Sequence, residues 1–347
     1  MRASSFNALA LLLIAGFLLP ACTPQGSGTD ANSASDTSAN PLLALEQRIL
    51  ADPNNAVLFA QRARYYLSID SLRLAENDLR RAMAIAPQAP EWPLELADLY
   101  YSRIQLLEAE ELLQQAADLD TNRVEALLKL SELKLVQRDY KDAMQLANQA
   151  LRKEVTNAQG YFLKGWIHKE AGDTALAISS FRTAVEQDPD FYDAYIALGL
   201  LHAAQHDPLA LQYYNTAIEL RPNSVEALYN KGIYCQEHGL DSLALVCYDR
   251  IKEVAPQNAM AYYNAGYVLL TARGDTRKAR AEFDRSIALL PTNANTYYNR
   301  GLTYEQDGLL DSALTDYLRA LRLEPDADLP AKGLSRLQRK GVKVVKP

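Results

Sequence analysis

A ladder of alanines at a nearly constant interval restricts the fold of this 347-residue chain more than any other feature. Its members are Ala75, Ala109, Ala143, Ala177, Ala210, Ala244, Ala279 and Ala313, separated by 33 to 35 residues. A second ladder of small residues lies eleven to thirteen positions earlier, at Ala63, Ala97, Ser131, Gly165, Gly199, Gly232, Gly266 and Gly301. A period of this size indicates an array of structural repeats.

The two ladders and a set of prolines predict one helical hairpin in each repeat. Small residues on two helices allow their backbones to approach closely, and short polar segments such as "AGD" between the ladders turn the chain. Proline stops a helix because it cannot donate the backbone hydrogen bond. It closes most repeats, at Pro87, Pro189, Pro222, Pro256, Pro291 and Pro325. One hairpin cannot bury both of its faces, so neighbouring hairpins are expected to stack.

These residues resemble the tetratricopeptide repeat, whose pattern is W-x2-L-G-x2-Y, then A-x3-F, then alanine and proline. In the repeat from residue 192 the matching residues are Tyr195, Leu198, Gly199, His202, Ala210, Tyr214, Ala217 and Pro222. In the last repeat they are Tyr297, Gly301, Tyr304, Ala313, Tyr317, Ala320 and Pro325. The resemblance implies an all-α fold, a right-handed tetratricopeptide superhelix (α-solenoid) of eight hairpins with capping helices at both ends.

The period divides the chain into domains. Eight units are predicted at 56–89, 90–123, 124–157, 158–191, 192–224, 225–258, 259–293 and 294–327. Residues 41–55 read as an N-terminal capping helix and residues 328–340 as a C-terminal one, with Leu329, Leu334 and Leu337 covering the last hairpin. A basic tail follows at residues 341–347.

The first forty residues indicate export. Residues 1–21 have the short apolar run of a secretory signal peptide. The segment "LLPACTPQ" resembles a bacterial lipobox, which implies lipid attachment at Cys22 and a membrane-bound mature N-terminus. Residues 22–40 then form a Ser/Thr/Gly-rich tether too polar to fold. By resemblance to other lipoproteins, Thr23 favours the outer membrane, facing the periplasm; ordinary signal cleavage, giving a soluble periplasmic protein, is the alternative.

The charge distribution argues against nucleic acid as a partner. The formal net charge is −7, although six basic residues and a single acidic one follow residue 327. Nucleic-acid binding needs a basic stripe along the folded body, and here the body is acidic.

The sequence gives little indication of metal binding or catalysis. His168, His202 and Cys235 occupy equivalent places in three successive units, which makes a metal-dependent enzyme an alternative hypothesis. Helices packed 8–10 Å apart do not easily bring such ligands within about 2.0 to 2.3 Å of one ion, so packing residues are the preferred interpretation. No catalytic residue, metal site, cofactor or small-molecule substrate is predicted. A Cys235–Cys247 disulfide is disfavoured, since Cys247 is expected to face outward and Cys235 inward.

The family resemblance implies a partner groove on the concave face, which the first helix of each unit lines. Places expected to point outward there form an acidic patch of Glu91, Glu95, Asp98, Glu125 and Glu132. The predicted groove residues are Phe162, Trp166, Ile196, Leu200, Tyr229, Asn230, Tyr263, Asn264, Tyr267, Tyr298 and Asn299. The asparagines could bond an extended peptide backbone, although Tyr-Asn pairs also serve as ordinary framework.

Together these features predict a non-catalytic scaffold of the bacterial cell envelope that binds a protein or peptide. The alternative within the same class is a regulatory adaptor that presents substrates to an envelope hydrolase or protease.

Overall fold

The computed structural model describes residues 41–343, which form eighteen α-helices and no strand. The helices divide between two compact units, the first ending at Gln187 and the second beginning at Asp188, a division that the repeat pattern did not indicate. In the first unit the helices are α1 (Pro41–Ala51), α2 (Ala56–Ser68), α3 (Leu72–Ile85), α4 (Glu91–Ser102), α5 (Leu106–Leu119), α6 (Val124–Val136), α7 (Tyr140–Lys153), α8 (Ala158–Glu170) and α9 (Thr174–Gln187).

The second unit continues the same alternation of helices. Its members are α10 (Tyr192–Ala204), α11 (Leu209–Leu220), α12 (Val225–Glu237), α13 (Asp241–Val254), α14 (Ala259–Thr271), α15 (Thr276–Leu289), α16 (Ala294–Gln306), α17 (Leu310–Leu323) and α18 (Asp328–Arg339). From α2 to α17, successive pairs pack as hairpins, here numbered 1 to 8, and each predicted unit encloses one pair. The predicted all-α array of stacked hairpins is confirmed.

Helix ends follow from local sequence. The side chains of Asn157, Ser224, Asn258 and Asn293 each accept a hydrogen bond from a backbone N–H in the first turn of a first helix. Such caps satisfy donors that have no partner inside the helix. The six closing prolines each lie two residues beyond the end of a second helix.

Inside five hairpins a glycine faces an aromatic ring of the second helix. A Cβ at Gly165 would lie 2.5 Å from the Phe181 ring, and one at Gly266 would lie 2.8 Å from the Phe283 ring. Real Cβ atoms do not approach so closely, so glycine is required for the two helices to pack around the ring. The other three pairs are Gly199–Tyr214, Gly232–Tyr248 and Gly301–Tyr317.

Helix α18 covers hairpin 8. Leu334 and Leu337 are buried beside Tyr317, whereas Leu329 is 53% exposed and does not contribute to the cover that the sequence predicted. Leu329 lies in the first turn of the amphipathic helix, where it faces solvent. Arg336 and Lys340 also donate to the buried carboxylate of Glu305, so the cap is held by both apolar and ionic contacts.

None of the helices described between residues 41 and 343 has the length and apolar character needed to cross a membrane.

Candidate binding face of the first helices

The predicted aromatic anchors of hairpin 4 are buried in the free chain. Phe162 and Trp166 are only 8% and 9% exposed, and their ring centroids lie 5.5 and 5.7 Å from that of Phe181. Lys169 also covers the Trp166 ring, with Nζ 4.8 Å from its centroid. The expectation that both rings project outward is therefore corrected: with glycine at 165, Phe181 enters the hairpin, and the two rings pack against it. A role in binding stays a prediction.

A cavity of about 430 Å³ lies between α6 and α8, on the side of the first helices. Leu128 and Leu163 form part of an apolar wall, and both are buried. The charged and polar lining residues are Asn122, Arg123, Glu125, Lys129, Glu132, Glu154, Asn157 and Gln159. The sequence had identified Glu125 and Glu132 as part of an acidic patch, but not the cavity that they line.

Glu132 is the unusual member of this lining because it is an acid with only 6% exposure. Its Oε1 accepts a hydrogen bond from the Tyr101 hydroxyl at 3.3 Å. Burial raises the pKa of the Glu132 carboxyl to about 7, and the favourable effects of Tyr101 and Lys129 only partly oppose it. Lys129 is also occupied by Asp98, whose oxygens lie 2.5 and 2.6 Å from its Nζ.

The apolar groove positions of hairpin 5 are also largely internal. Ile196 is 5% exposed and belongs to a core cluster with Tyr192 and Tyr214, against which Leu200 packs while half-buried. Ile196 was expected to face outward, and its burial corrects that expectation: neighbouring helices cover it within the second unit. Leu200 retains partial exposure.

The Tyr-Asn pairs of hairpins 6 to 8 differ from one another. The Asn299 amide donates to the Tyr263 hydroxyl at 3.1 Å, which links two successive first helices as framework. Asn264 is 4% exposed, and its Nδ2 is buried without a hydrogen-bond partner. Asn264 and Asn299 are thus too buried to meet a peptide unaided, contrary to expectation, whereas Asn230 is half-buried.

The four tyrosines of this region remain partly accessible. Tyr229, Tyr263, Tyr267 and Tyr298 are half-buried on α12, α14 and α16. Tyr263 stacks on Tyr267 with ring centroids 6.5 Å apart, and Tyr298 packs near Tyr317. In the second unit these rings offer aromatic surface on the first helices.

The histidines singled out by sequence have ordinary packing partners. His202 is buried, bonds Asp207 Oδ2 through Nδ1 at 2.9 Å and stacks on Tyr213. His168 is half-buried on α8, and burial lowers the pKa of its imidazole. Over residues 41–343, no group of three or more His, Cys, Asp or Glu side chains has the arrangement to hold a metal ion.

Cys235 and Cys247 are both buried and unpaired. Cys247 is 2% exposed, so its predicted outward orientation is wrong. Its Cβ lies 3.3 Å from the position that a Cβ on Gly232 would take, which shows that it faces the first helix of its own hairpin. Burial raises the pKa of the Cys247 thiol to about 11, which leaves it unreactive near neutral pH.

Comparison with known proteins identifies the repeats. Residues 162–224 and 294–327 match models described as tetratricopeptide repeat, and residues 269–308 match one described as TPR repeat. A crystal structure of the C-terminal part of a TPR repeat-containing protein from Cytophaga hutchinsonii superposes with a TM-score of 0.58 at 19% identity. It covers 70% of this chain and 99% of that one, a likeness that shows the fold alone.

Curated relatives share shorter stretches. The "DnaJ homolog subfamily C member 7 homolog" of Schizosaccharomyces pombe is 26% identical over 156 residues, 40% of this chain and 33% of that protein. The "Photosystem I assembly protein Ycf3" of Acaryochloris marina is 35% identical over 83 residues, 23% of this chain and 50% of that protein. The chain thus spans half or less of the curated relatives it matches.

The repeat period, the glycine-to-ring packing and the matched models agree. The chain contains tetratricopeptide repeats, which the models match over residues 162–224 and 269–327.

Proposed function

We propose that this protein is a non-catalytic scaffold that binds a protein partner on its first helices, with the cavity beside Glu132 receiving a lysine or arginine side chain. The observation that carries the proposal is a nearly buried carboxylate in the wall of an open cavity. Tetratricopeptide repeats are a family of protein-binding modules, which supports the general class of function.

The cavity has the chemistry for a long basic side chain. Leu128 and Leu163 suit the aliphatic stem, and Glu132 suits the charged head. Of the charged lining residues, three are acidic and two are basic, while Lys129 is already engaged by Asp98. A cation beside Glu132 would favour the ionised carboxylate that burial otherwise disfavours. The partner is therefore expected to present a basic segment.

Glu132 also costs the free chain stability at neutral pH, because its folded pKa lies above its ordinary value. Residues that reduce stability are often retained at binding sites. A ligand cation beside Glu132 would offset this loss of stability in the complex, so the buried carboxylate is explained by binding and not by folding.

The envelope location rests on sequence alone. The signal peptide at 1–21, Cys22 and the tether at 22–40 lie outside the described residues. We propose that lipid on Cys22 holds the repeats at the outer membrane, facing the periplasm; a soluble periplasmic protein remains the alternative. Replacing Cys22 with alanine tests this: the protein should move from the membrane fraction to the soluble fraction, and unchanged fractionation would refute lipid anchoring.

Partner binding is tested by Glu132→Gln, with Gln115→Ala on the exposed surface of α5 as the matched control. Proteins crosslinked to the full chain in native membranes would be quantified for wild type and both variants. Glu132→Gln should reduce the recovery of the principal partner about tenfold, and Gln115→Ala should leave it unchanged. Because Glu132→Gln is expected to stabilise the fold, such a loss would not come from unfolding; equal recovery from all three chains would refute the proposal.

A further inference from the structure

Two histidines of the second unit meet across neighbouring turns. His206 lies in the turn between α10 and α11, and His238 directly follows α12. His206 Nδ1 and His238 Nε2 are 3.3 Å apart, and the ring centroids are 5.4 Å apart. His206 is exposed and His238 is half-buried, so solvent reaches the pair.

The surroundings fix the tautomer and orientation of His238. Its Nδ1 lies 2.8 Å from the carbonyl oxygen of Tyr234 and therefore carries the proton that it donates there. Its ring stacks on Tyr234 at a centroid distance of 4.0 Å. Nε2 is left with a lone pair directed at His206. Metal-binding histidines are commonly oriented in this way, with the second ring nitrogen bonded to a backbone carbonyl.

The spacing of the pair fits a shared metal ion. Two nitrogens held about 2.0 to 2.1 Å from a tetrahedral zinc ion lie about 3.3 Å from each other. Their ring centres then lie about 5.2 Å apart, close to the 5.4 Å observed. In the free chain the same separation is that of a hydrogen bond from His206 Nδ1 to His238 Nε2, which a bound ion would replace.

At the other two junctions of this unit, the turn of one hairpin contacts the first turn of the second helix in the preceding hairpin through ordinary hydrogen bonds. Between hairpins 6 and 7, Arg273 donates to the Ser242 hydroxyl at 2.7 Å. Between hairpins 7 and 8, the Thr276 hydroxyl donates to Asp307 at 2.8 Å. Of the three junctions compared, only the one between hairpins 5 and 6 pairs two imidazoles.

We propose that His206 and His238 form a two-histidine site for a borderline divalent metal ion, such as Ni²⁺, Cu²⁺ or Zn²⁺, that clips hairpin 5 to hairpin 6. Imidazole nitrogens favour these ions over Mg²⁺ or Ca²⁺. When His206 Nδ1 binds the ion, its proton moves to Nε2, so coordination by the neutral pair releases no net proton. Water molecules complete the coordination.

A metal titration of the full chain, without a polyhistidine tag and freed of metal with a chelator, tests the site. Ni²⁺ is the probe, because the buried thiols of Cys235 and Cys247 compete less for it than for softer ions. We expect one equivalent to bind with micromolar affinity and the thermal midpoint to rise. His206→Gly should weaken binding at least tenfold, and His168→Gln, on α8 in the other unit, should not.

His206→Gly separates metal binding from folding. His206 has a φ of 55°, a left-handed conformation that glycine adopts without strain, so the variant should fold as well as wild type. His238→Gln should lose metal affinity to the same extent. Absence of Ni²⁺ binding by wild type up to about 1 mM, or unchanged affinity in His206→Gly, would overturn the assignment.

Discussion

Hairpins 1 to 3 and hairpins 4 to 8 use different residue pairs at the same contact between their helices. The early hairpins place Ala63, Ala97 and Ser131 on the first helix, with Leu79, Leu113 and Ala147 at the facing positions. The later hairpins place glycine on the first helix and Tyr or Phe on the second. Relative to hairpins 1 and 2, the later hairpins have moved side-chain volume from the first helix to the second, so the interface stays filled although its residues differ. In hairpin 3 the Ser131 hydroxyl instead donates to the Ala143 carbonyl oxygen at 2.8 Å.

The two terminal hairpins nevertheless share one contact. Arg62 bonds both carboxylate oxygens of Asp78 at 2.7 Å, and Arg300 bonds both oxygens of Asp316 at 2.8 and 2.7 Å. The arginines occupy equivalent places in hairpins 1 and 8, and so do the aspartates. Hairpin 2 has Leu96 and Leu112 at those places. The ion pair is therefore one of several ways to occupy the site.

The largest effect is expected when one arginine of these pairs is removed. Arg62→Ala removes the partner of Asp78, whose side chain is 8% exposed. Arg300→Ala removes the partner of Asp316, whose side chain is 5% exposed. Stranding a buried charge should lower the free energy of unfolding by about 3 to 5 kcal/mol, measured by urea denaturation. Arg300→Ala should cost more, because Arg300 also bonds Asp284 at 2.7 Å.

The double variant Arg62→Leu/Asp78→Leu reproduces the residues of hairpin 2 and provides the control. It should recover most of the loss, since apolar residues can replace a buried ion pair. A double variant as unstable as Arg62→Ala would show that the ion pair is not interchangeable with the leucines.

A smaller effect is expected from exchanging the glycine pattern for the alanine pattern. Gly266→Ala places a methyl group 2.8 Å from the ring of the fully buried Phe283 and 3.1 Å from the backbone carbonyl oxygen of Ala279. Overpacking should cost about 1 to 3 kcal/mol, reduced by the better helix propensity of alanine. Urea denaturation measures the change.

Adding Phe283→Leu to Gly266→Ala reproduces Ala97 and Leu113 of hairpin 2 and should restore part of the stability. The interaction between the two substitutions would appear in a double-mutant cycle. Additive losses would contradict an exchange of volume between the helices.

The smallest effects are expected at two buried glutamates whose surroundings shift the carboxyl pKa in opposite directions. Burial raises the pKa of Glu132 to about 7, whereas Arg336, Tyr317 and Lys340 outweigh burial and lower that of Glu305 to about 2. Between about pH 4.5 and 7, folded Glu132 keeps a proton that the unfolded chain has lost, so its contribution to stability falls as pH rises. Folded Glu305 is ionised between about pH 2 and 4.5, so its contribution is lost as pH falls through that range.

Stability against pH for wild type, Glu132→Gln and Glu305→Gln separates the two groups. At pH 8, Glu132→Gln should stabilise by about 1 to 2 kcal/mol and Glu305→Gln should destabilise by a similar amount, discounted for the exposure of Arg336 and Lys340. If both substitutions changed the free energy of unfolding in the same direction, the opposite pKa shifts of Glu132 and Glu305 would be contradicted.

The ladder spacing was sufficient to predict the hairpins, because helix pairing within a repeat depends on residues close in sequence. Gly165 was recognised as a close-approach residue, but the ring it accommodates was not identified. Burial of Trp166, Asn264 and Cys247 escaped prediction, since it depends on which neighbouring helix covers each side chain. The spacing of sixteen residues from Arg62 to Asp78 and from Arg300 to Asp316 was present in the sequence and could have revealed the terminal ion pairs.

The candidate site was less predictable than the fold. Periodicity placed Glu132 on a first helix, but the cavity forms only where α6 and α8 pack together. The meeting of His206 and His238, 32 residues apart, likewise depends on the stacking of two turns. Contacts between neighbouring repeats therefore create both candidate sites, and neither site lies within a single repeat.

Partner binding on the first helices is tested most directly by site-specific photocrosslinking. A photoreactive residue would replace Glu125, exposed at the cavity rim on α6, or Gln115, exposed on α5. We predict that the native partner is captured from position 125 and not from position 115, and that Glu132→Gln reduces this capture. Capture from position 115 alone, or equally from both positions, would contradict the account.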